Sequence, residues 1–116
     1  MNARKITGVA LALGTLLVSG AGLAQAAETG TLDISSSADA GSRIRTDPYI
    51  RADNITATTT HKTAMNIECY ANGQYFDDGH TRTDIWYFGS VSGPRGYVWG
   101  GNVNTQQDPP PGLREC

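Results

Sequence analysis

The sequence has few basic residues, only two cysteines and a single long apolar stretch. That stretch lies at the start of the chain, where Arg4 and Lys5 are the only charges in residues 1–26. Of the 116 residues, the other 90 keep seven of the nine basic side chains and all eleven acidic ones, a formal charge of −4. A chain this short and this acidic excludes a large enzyme, a multidomain protein and a polybasic nucleic-acid binder.

Residues 1–26 show the three regions of a secretory signal peptide in the expected order. The positive pair is followed by an apolar stretch over residues 6–18, and the segment ends in Ala24-Gln25-Ala26. We therefore expect cleavage after Ala26. No second long apolar run follows, so we expect a secreted, soluble protein that leaves the membrane after cleavage.

The two cysteines, Cys69 and Cys116, predict a disulfide, because an even cysteine count in an exported chain is typical of one. They allow one intramolecular pairing, which would tie the last residue to the middle of the chain. The alternative is a reactive thiol or a metal ligand. The chain has no C-x-x-C motif, and neither His61 nor His80 lies near a cysteine in sequence.

No segment after residue 26 repeats apolar residues at helical spacing, which predicts an all-β fold. Residues 27–42 are rich in Ser, Ala, Gly and Thr and indicate a flexible leader, although Leu32 and Ile34 alternate around Asp33 and give a weak signal for a short strand. Period-two alternation or β-branched and aromatic residues predict short strands around 43–45, 50–60, 63–69, 85–88 and 97–99. Turn signals between them favour a small antiparallel barrel or sandwich over residues 43–116.

Three local expectations concern the strand at 63–69, the dipeptide after it and the C-terminal segment. Met65, Ile67 and Cys69 alternate with polar residues and should share the inward face. The next dipeptide signal, Asn72-Gly73, predicts a tight turn, with residues 74–76 returning as a strand. The three prolines near the C-terminus prevent a helix, so the tail should run extended until Cys116 fixes it.

Several motifs of residues 43–104 resemble those of bacterial SH3-like domains, especially small exported ones from actinobacteria. The motifs are Ile44-Arg45 with Pro48, the alternation at Met65, Ile67 and Cys69, the pair Trp86-Tyr87, and the run from Gly96 through Trp99 to Val103. The resemblance implies an SH3-like antiparallel β-barrel of five to six short strands. It also implies a disulfide between the terminal and mid-domain cysteines, and a binding role rather than catalysis.

The nine aromatic residues exceed what a small core requires, and alternation separates them. If Val98 faces inward, Tyr97 and Trp99 face outward, and Trp86 shares a face with Phe88. Exposed rings stack on sugars, peptides or prolines at low entropic cost. We therefore predict a ligand-binding groove, and the alternative is that Trp86 belongs to the core. The predicted groove residues are Tyr49, Trp86, Tyr97 and Trp99.

Metal binding and catalysis have weaker support in the sequence. Asp77, Asp78 and Asp84 are close enough to suggest calcium, but their spacing is not that of an EF-hand, and a solvated loop is the alternative. The chain has neither H-E-x-x-H nor G-x-S-x-G, so we expect no enzyme, no cofactor and no metal. Scattered Ser, Thr and Asp residues leave a small secreted hydrolase as a remaining alternative.

The expected function is that of a secreted SH3-like module, present as a monomer. In the family it resembles, ligands are cell-wall peptides, glycans or protein partners, so we expect peptidoglycan or an extracellular protein or peptide. A second interpretation is a free-standing inhibitor or competition factor that acts on another protein. We expect no nucleic-acid partner.

Overall fold

The computed structural model describes residues 32–116, and its main element is a six-stranded antiparallel sheet. The strands are β1 (Ile34–Ala38), β2 (Arg43–Arg45), β3 (Ile55–Thr58), β4 (Thr63–Asp77), β5 (Arg82–Val91) and β6 (Arg95–Trp99). They lie in the order β1-β4-β5-β6-β2-β3. The predictions of an all-β fold and of its disulfide are confirmed. The expected signal peptide lies outside the described residues.

Two short 3-10 turns, Ala52–Asn54 and Gly100–Asn102, are the helical elements within residues 32–116. No helix in this part of the chain is long and apolar enough to cross a membrane. The first turn precedes β3 and the second follows β6, so both lie at strand ends and leave the sheet continuous.

The hydrophobic core lies on one face of the sheet and draws residues from five strands and the tail. Alternation along each strand supplies the core residues, because successive side chains point to opposite faces. The buried members are Ala38, Ile44, Met65, Ile67, Ile85, Tyr87, Val91, Val98, Val103 and Leu113. The predicted inward face of β4 is confirmed, since Met65, Ile67 and Cys69 are each no more than 4% exposed.

Strand β1 corrects the predicted boundary between a flexible leader at 27–42 and the folded domain. It pairs in antiparallel register with Thr63–Ile67 of β4. Its hydrophobic signal is weak because Ser35–Ser37 fill the middle of the strand, and only Ala38 is fully buried. Serine hydroxyls instead bind the segment after β6, where Asn104 accepts from Ser36 and donates to Ser37.

The predicted turn at Asn72-Gly73 is wrong, because β4 runs through it to Asp77. Gly73 is needed there for close packing. A Cβ atom on it would lie 2.3 Å from the Pro48 carbonyl oxygen and 2.9 Å from Cδ1 of Trp86. The β4–β5 hairpin reverses instead at residues 78–81, where the Asp78 carboxylate accepts hydrogen bonds from the N–H groups of His80 and Thr81.

The segment after β6 returns the chain to β1. Val103 forms a bridge with Ala38, and the Asp39 N–H donates to the Asn102 carbonyl at 2.8 Å. On the other side, the β1–β2 connection binds the end of β3 through Ser42 and Thr59, whose backbone N–H donates to Ser42 at 2.9 Å. The β1–β2 connection therefore binds both the segment after β6 and the residue after β3.

The C-terminal tail is held at three places. Leu113 enters the core, and the Tyr87 hydroxyl donates to the carboxylate of Asp108. At the end, Cys116 forms the disulfide with Cys69, with their Cα atoms 4.9 Å apart, which confirms the predicted pairing. The tail therefore adds the side chain of Leu113 to the core and is bonded covalently to β4.

Candidate functional site

The face of β5 and β6 opposite the core carries four aromatic side chains, here called the outer aromatic face: Trp86, Phe88, Tyr97 and Trp99. Trp86 lies opposite Trp99 in the strand register, and Phe88 lies opposite Tyr97. The intervening residues Tyr87 and Val98 belong to the core. The sorting of these residues by alternation is therefore confirmed.

Both tryptophans are covered, which for Trp86 is the alternative that the sequence left open and for Trp99 differs from the predicted exposed ring. Trp86 is 1% exposed and Trp99 is 6% exposed. The β4 segment at Gly73 packs on Trp86, while Gly101 lies so close to Trp99 that an added Cβ would be 2.0 Å from its Cζ3 atom. The prediction that Trp99 stands exposed at a rim is wrong, because the 3-10 turn after β6 folds over its ring.

The indole nitrogens fix the orientation of both rings. The Trp86 Nε1–H donates to the carbonyl of Gln74 at 2.9 Å, and the Trp99 Nε1–H donates to the carbonyl of Thr83 at 3.0 Å. Phe76 packs edge-on against Trp99, with ring centres 5.1 Å apart. Both indole donors are thus satisfied inside the protein, so the rings can offer a ligand only apolar surface.

A cavity of about 140 Å³ lies beside these rings, on the outer side of the sheet. Apolar and cationic side chains line it together. The lining residues are Arg43, Arg45, Ile50, Phe76, Trp86, Trp99 and Asn102. Ile50 and Phe76 are 38% and 41% exposed, so they form the accessible border of the cavity while the tryptophans lie deeper.

The structure brings together two of the four predicted groove residues. Trp86 and Trp99 line the cavity, whereas Tyr97 packs against Phe88 further along the sheet, with ring centres 5.0 Å apart. Tyr49 is 46% exposed and lies under the guanidinium of Arg51, 6.0 Å from the ring centre. Neither tyrosine is among the residues that line the cavity.

Arg45 is the most buried charged group of the cavity, at 7% exposed. Its Nη1 atom donates to the carbonyl of Arg51 at 2.7 Å and to Oδ1 of Asn54 at 2.8 Å. Burial lowers the pKa of Arg45, the neighbouring charge of Arg43 lowers it further, and Asp47 opposes both effects. The guanidinium stays protonated, because arginine does not lose its proton in proteins.

The loop that carries Ile50 is built around the buried side chain of Asn54. The Asn54 amide nitrogen donates to Asp47 at 2.6 Å and to the Tyr49 carbonyl at 2.7 Å. The hydrogen bond from Asn54, followed by the one from Arg51, lowers the pKa of the Asp47 carboxyl. The loop is also joined to β4, since the Ile50 N–H donates to the Gln74 side chain at 2.9 Å.

Sequence reasoning missed five of the lining residues: Arg43, Arg45, Ile50, Phe76 and Asn102. One signal was present for the two arginines. They flank the inward-facing Ile44, so alternation places them on the opposite face of the sheet from the core. The position of β2 beside β6 joins that face to the tryptophans, and this pairing has no local signature.

Two of the three aspartates suggested for calcium, Asp77 and Asp78, bind the backbone of the hairpin turn. The Asp77 carboxylate accepts from the Gly79 N–H at 2.9 Å, and Asp78 accepts from two further N–H groups, which lowers the pKa of its carboxyl. Asp84 lies within 3.4 Å of the Asn72 amide. Within residues 32–116, no three His, Cys, Asp or Glu side chains converge in a way that could hold a metal ion.

Comparison of the chain with models of protein families, with curated proteins and with solved structures finds no match.

Proposed function

We propose that this protein is an exported binding module with an SH3-like barrel, and that the cavity beside Trp86 and Trp99 is its ligand site. The observation that carries the proposal is the composition of the cavity. Two covered indoles and the half-exposed side chains of Ile50 and Phe76 lie next to two arginines. Concave apolar sites with a few convergent polar groups are typical of ligand sites.

Barrel closure is part of the proposal. Its support is the pairing of residues 102–104 with β1, through the Ala38–Val103 bridge and the bond from the Asn104 N–H to the Ser37 carbonyl at 2.9 Å. The connection from β1 to β2 also binds the residue that follows β3, since the Gly41 N–H donates to the Thr59 carbonyl at 2.8 Å.

Export is the second part of the proposal. The disulfide between Cys69 and Cys116 supports it, because such bonds persist in oxidising compartments and are rare in the cytosol. The signal-peptide pattern of residues 1–26 gives independent support.

A binding role fits the cavity better than catalysis. Its polar side chains are two arginines and one asparagine. A guanidinium cannot accept a proton, and the amide of asparagine is no acid or base near neutral pH. The site can therefore hold and orient a ligand, but these side chains offer no group for proton transfer.

The ligand classes follow from the extracellular setting and the aromatic lining. We propose cell-wall peptide or glycan first, and an extracellular protein partner second. An inhibitor or competition factor would use the same cavity against another protein.

Retention on purified peptidoglycan tests this function. The protein, collected from the medium of cells that express the full chain, should pellet with the wall. Phe76→Ala and Ile50→Ala should lower the pelleted fraction, because both remove the accessible border of the cavity. Tyr75→Ala is the matched control, since Tyr75 is 60% exposed and lies outside the cavity.

Three results distinguish the outcomes. Retention that depends on Ile50 and Phe76 supports wall binding. Copurification of one extracellular protein with the same dependence, without wall retention, supports the inhibitor role. Retention or copurification that is unchanged in both cavity variants contradicts the assigned site.

A further inference from the structure

The buried guanidinium of Arg45 has donor groups that the protein does not use. A guanidinium has five N–H groups. Nη1 binds two internal acceptors, the Arg51 carbonyl and Asn54 Oδ1. Among residues 32–116, the structure records no acceptor for its other nitrogens and no carboxylate within ion-pair distance of Arg45 or Arg43.

This arrangement is unusual for a protein with so few basic groups. Only seven basic side chains follow residue 26, and two of them lie at this cavity. A buried charge without a partner is costly, and buried charges in proteins are normally paired. The like charge of Arg43 adds repulsion, which lowers the pKa of Arg45 beyond the effect of burial, and Asp47, which is paired with Arg51, offsets only part of this. An anion in the cavity would offset both costs.

The rest of the lining restricts which anion fits. The walls formed by Ile50, Phe76, Trp86 and Trp99 are apolar, and both indole N–H groups are already bound to backbone carbonyls. Inorganic phosphate needs polar partners for all of its oxygens, and beside the two arginines the lining offers only the side chain of Asn102. A carboxylate has two oxygens that match one guanidinium edge and can be attached to apolar groups.

The size of the cavity restricts the attached group. A volume of 140 Å³ corresponds to about five water molecules in the liquid. That is room for one carboxylate and one short side chain, with the rest of a longer ligand leaving past Ile50 and Phe76, which are partly exposed.

We propose that the cavity binds the free C-terminal carboxylate of a peptide, with the carboxylate on Arg45 and Arg43 and a short apolar last side chain against the tryptophan rings. This inference rests on the proposed function and names the chemistry that the site recognises. It favours a peptide over a neutral glycan. The same chemistry occurs at the end of a wall peptide, which terminates in a D-residue, and at the end of a protein, which terminates in an L-residue.

Calorimetric titration of the purified protein with short peptides tests the inference. The probes are N-acetyl-Ala-Ala with a free carboxylate, the same dipeptide as its C-terminal amide, and the free acid made from D-alanine. The free acid should bind at least about 10-fold more tightly than the amide, since a charge-assisted hydrogen bond is at stake. Tighter binding of the D-alanine acid would identify a wall peptide as the source of the ligand, and tighter binding of the L-alanine acid would identify the end of a protein.

Two variants and one control locate the binding. Arg43→Gln should weaken binding of the free acid about 10-fold and leave the amide unaffected, because only the acid contacts the charge. Arg45→Met should also lower the preference for the acid, and any preference that remains would come from Arg43. This variant also loses the hydrogen bonds from Arg45 to Arg51 and Asn54. The Arg43→Gln variant, at an exposed residue, keeps these internal bonds and is therefore the cleaner test. Lys62→Gln removes one exposed charge outside the cavity and should change nothing.

Equal affinity for the acid and the amide would overturn the carboxylate inference and leave the proposed binding function in place. The absence of binding by either peptide, in a protein that is retained on the wall through Phe76, would also overturn it. Failure of both wall retention and partner copurification would instead remove the proposed function itself.

Discussion

Trp86 and Trp99 lie directly opposite each other on β5 and β6, and each donates its indole N–H to a backbone carbonyl of the β4–β5 hairpin region. The acceptors are Gln74, in the second half of β4, and Thr83, near the start of β5. The Trp86 bond therefore joins β5 to β4 within the hairpin, the Trp99 bond joins β6 to β5, and both rings line the cavity. Stability and the proposed ligand binding therefore depend on the same two residues.

Replacing Trp86 with alanine should destabilise the fold strongly. The ring is 1% exposed and packs against Gly73, so its loss leaves a cavity and an unpaired carbonyl at Gln74. We expect the free energy of unfolding to fall by about 3–5 kcal/mol. Denaturant unfolding measures this value, and Tyr75→Ala, at an exposed position, should change it by less than about 0.5 kcal/mol. Equal effects would contradict the described burial of Trp86.

Adding a methyl group at Gly73 should also destabilise the protein. The new Cβ would lie 2.3 Å from the Pro48 carbonyl oxygen, and backbone must move to relieve the contact. We expect Gly73→Ala to cost about 1–3 kcal/mol, measured by thermal or denaturant unfolding. The neighbouring Asn72 is exposed, and Asn72→Ala should be nearly neutral. A Gly73→Ala variant as stable as the parent would show that the Pro48 loop does not pack there.

Reduction of the disulfide should lower the melting temperature. The bond between Cys69 and Cys116 closes a loop of 47 residues in sequence separation. By chain-entropy reasoning it contributes about 4 kcal/mol. Thermal unfolding with and without dithiothreitol, with thiol titration to prove reduction, measures the effect. An unchanged midpoint in the fully reduced protein would mean that the contacts of Leu113 and Asp108 hold the tail without it.

Stability should decrease in strongly alkaline solution because of Tyr87. Burial, and then the hydrogen bond to Asp108, raise the pKa of its hydroxyl in the folded protein. Because the pKa of Tyr87 is higher in the folded than in the unfolded chain, its protonated hydroxyl contributes fully to folding stability below the unfolded pKa of about 10. This contribution is lost progressively as the pH rises from there toward the folded pKa. Unfolding measured at pH 8 to 11 should show this decline.

The Tyr87→Phe variant should show a smaller alkaline decline, because it has no hydroxyl to ionise. Tyr75→Phe, at a residue that is 60% exposed, is the control and should keep the full decline. If both variants and the parent lose stability equally between pH 10 and 11, the contact between Tyr87 and Asp108 does not contribute.

Much of the fold could be predicted because its strands carry local signals. The alternation Met65, Ile67, Cys69 gave the inward face of β4, and the sorting around Val98 gave both faces of β5 and β6. Strand β1 was assigned to a leader because Ser35–Ser37 supply hydrogen bonds and little apolar surface. Its pairing partner, β4, lies about 30 residues away, and such distant pairing leaves no local pattern.

The site was only half predictable for the same reason. Trp86 and Trp99 could be assigned to one face, but their burial depends on Gly73, Gly101 and the Pro48 loop, which come from other parts of the chain. Asn72-Gly73 has the composition of a tight turn, and the sequence cannot distinguish a glycine needed for a turn from one needed for close packing. The arginines were missed because their role depends on β2 lying beside β6.

The central claim is that the ligand occupies the cavity beside the two tryptophans, and nitrogen–proton correlation spectra test it most directly. The chain has two tryptophans, both in the cavity wall, so the spectrum contains two indole signals. On titration with solubilised peptidoglycan fragments, both signals should shift along with the amides of Ile50 and Phe76. Binding that moves amides elsewhere and leaves both indole signals in place would contradict the account.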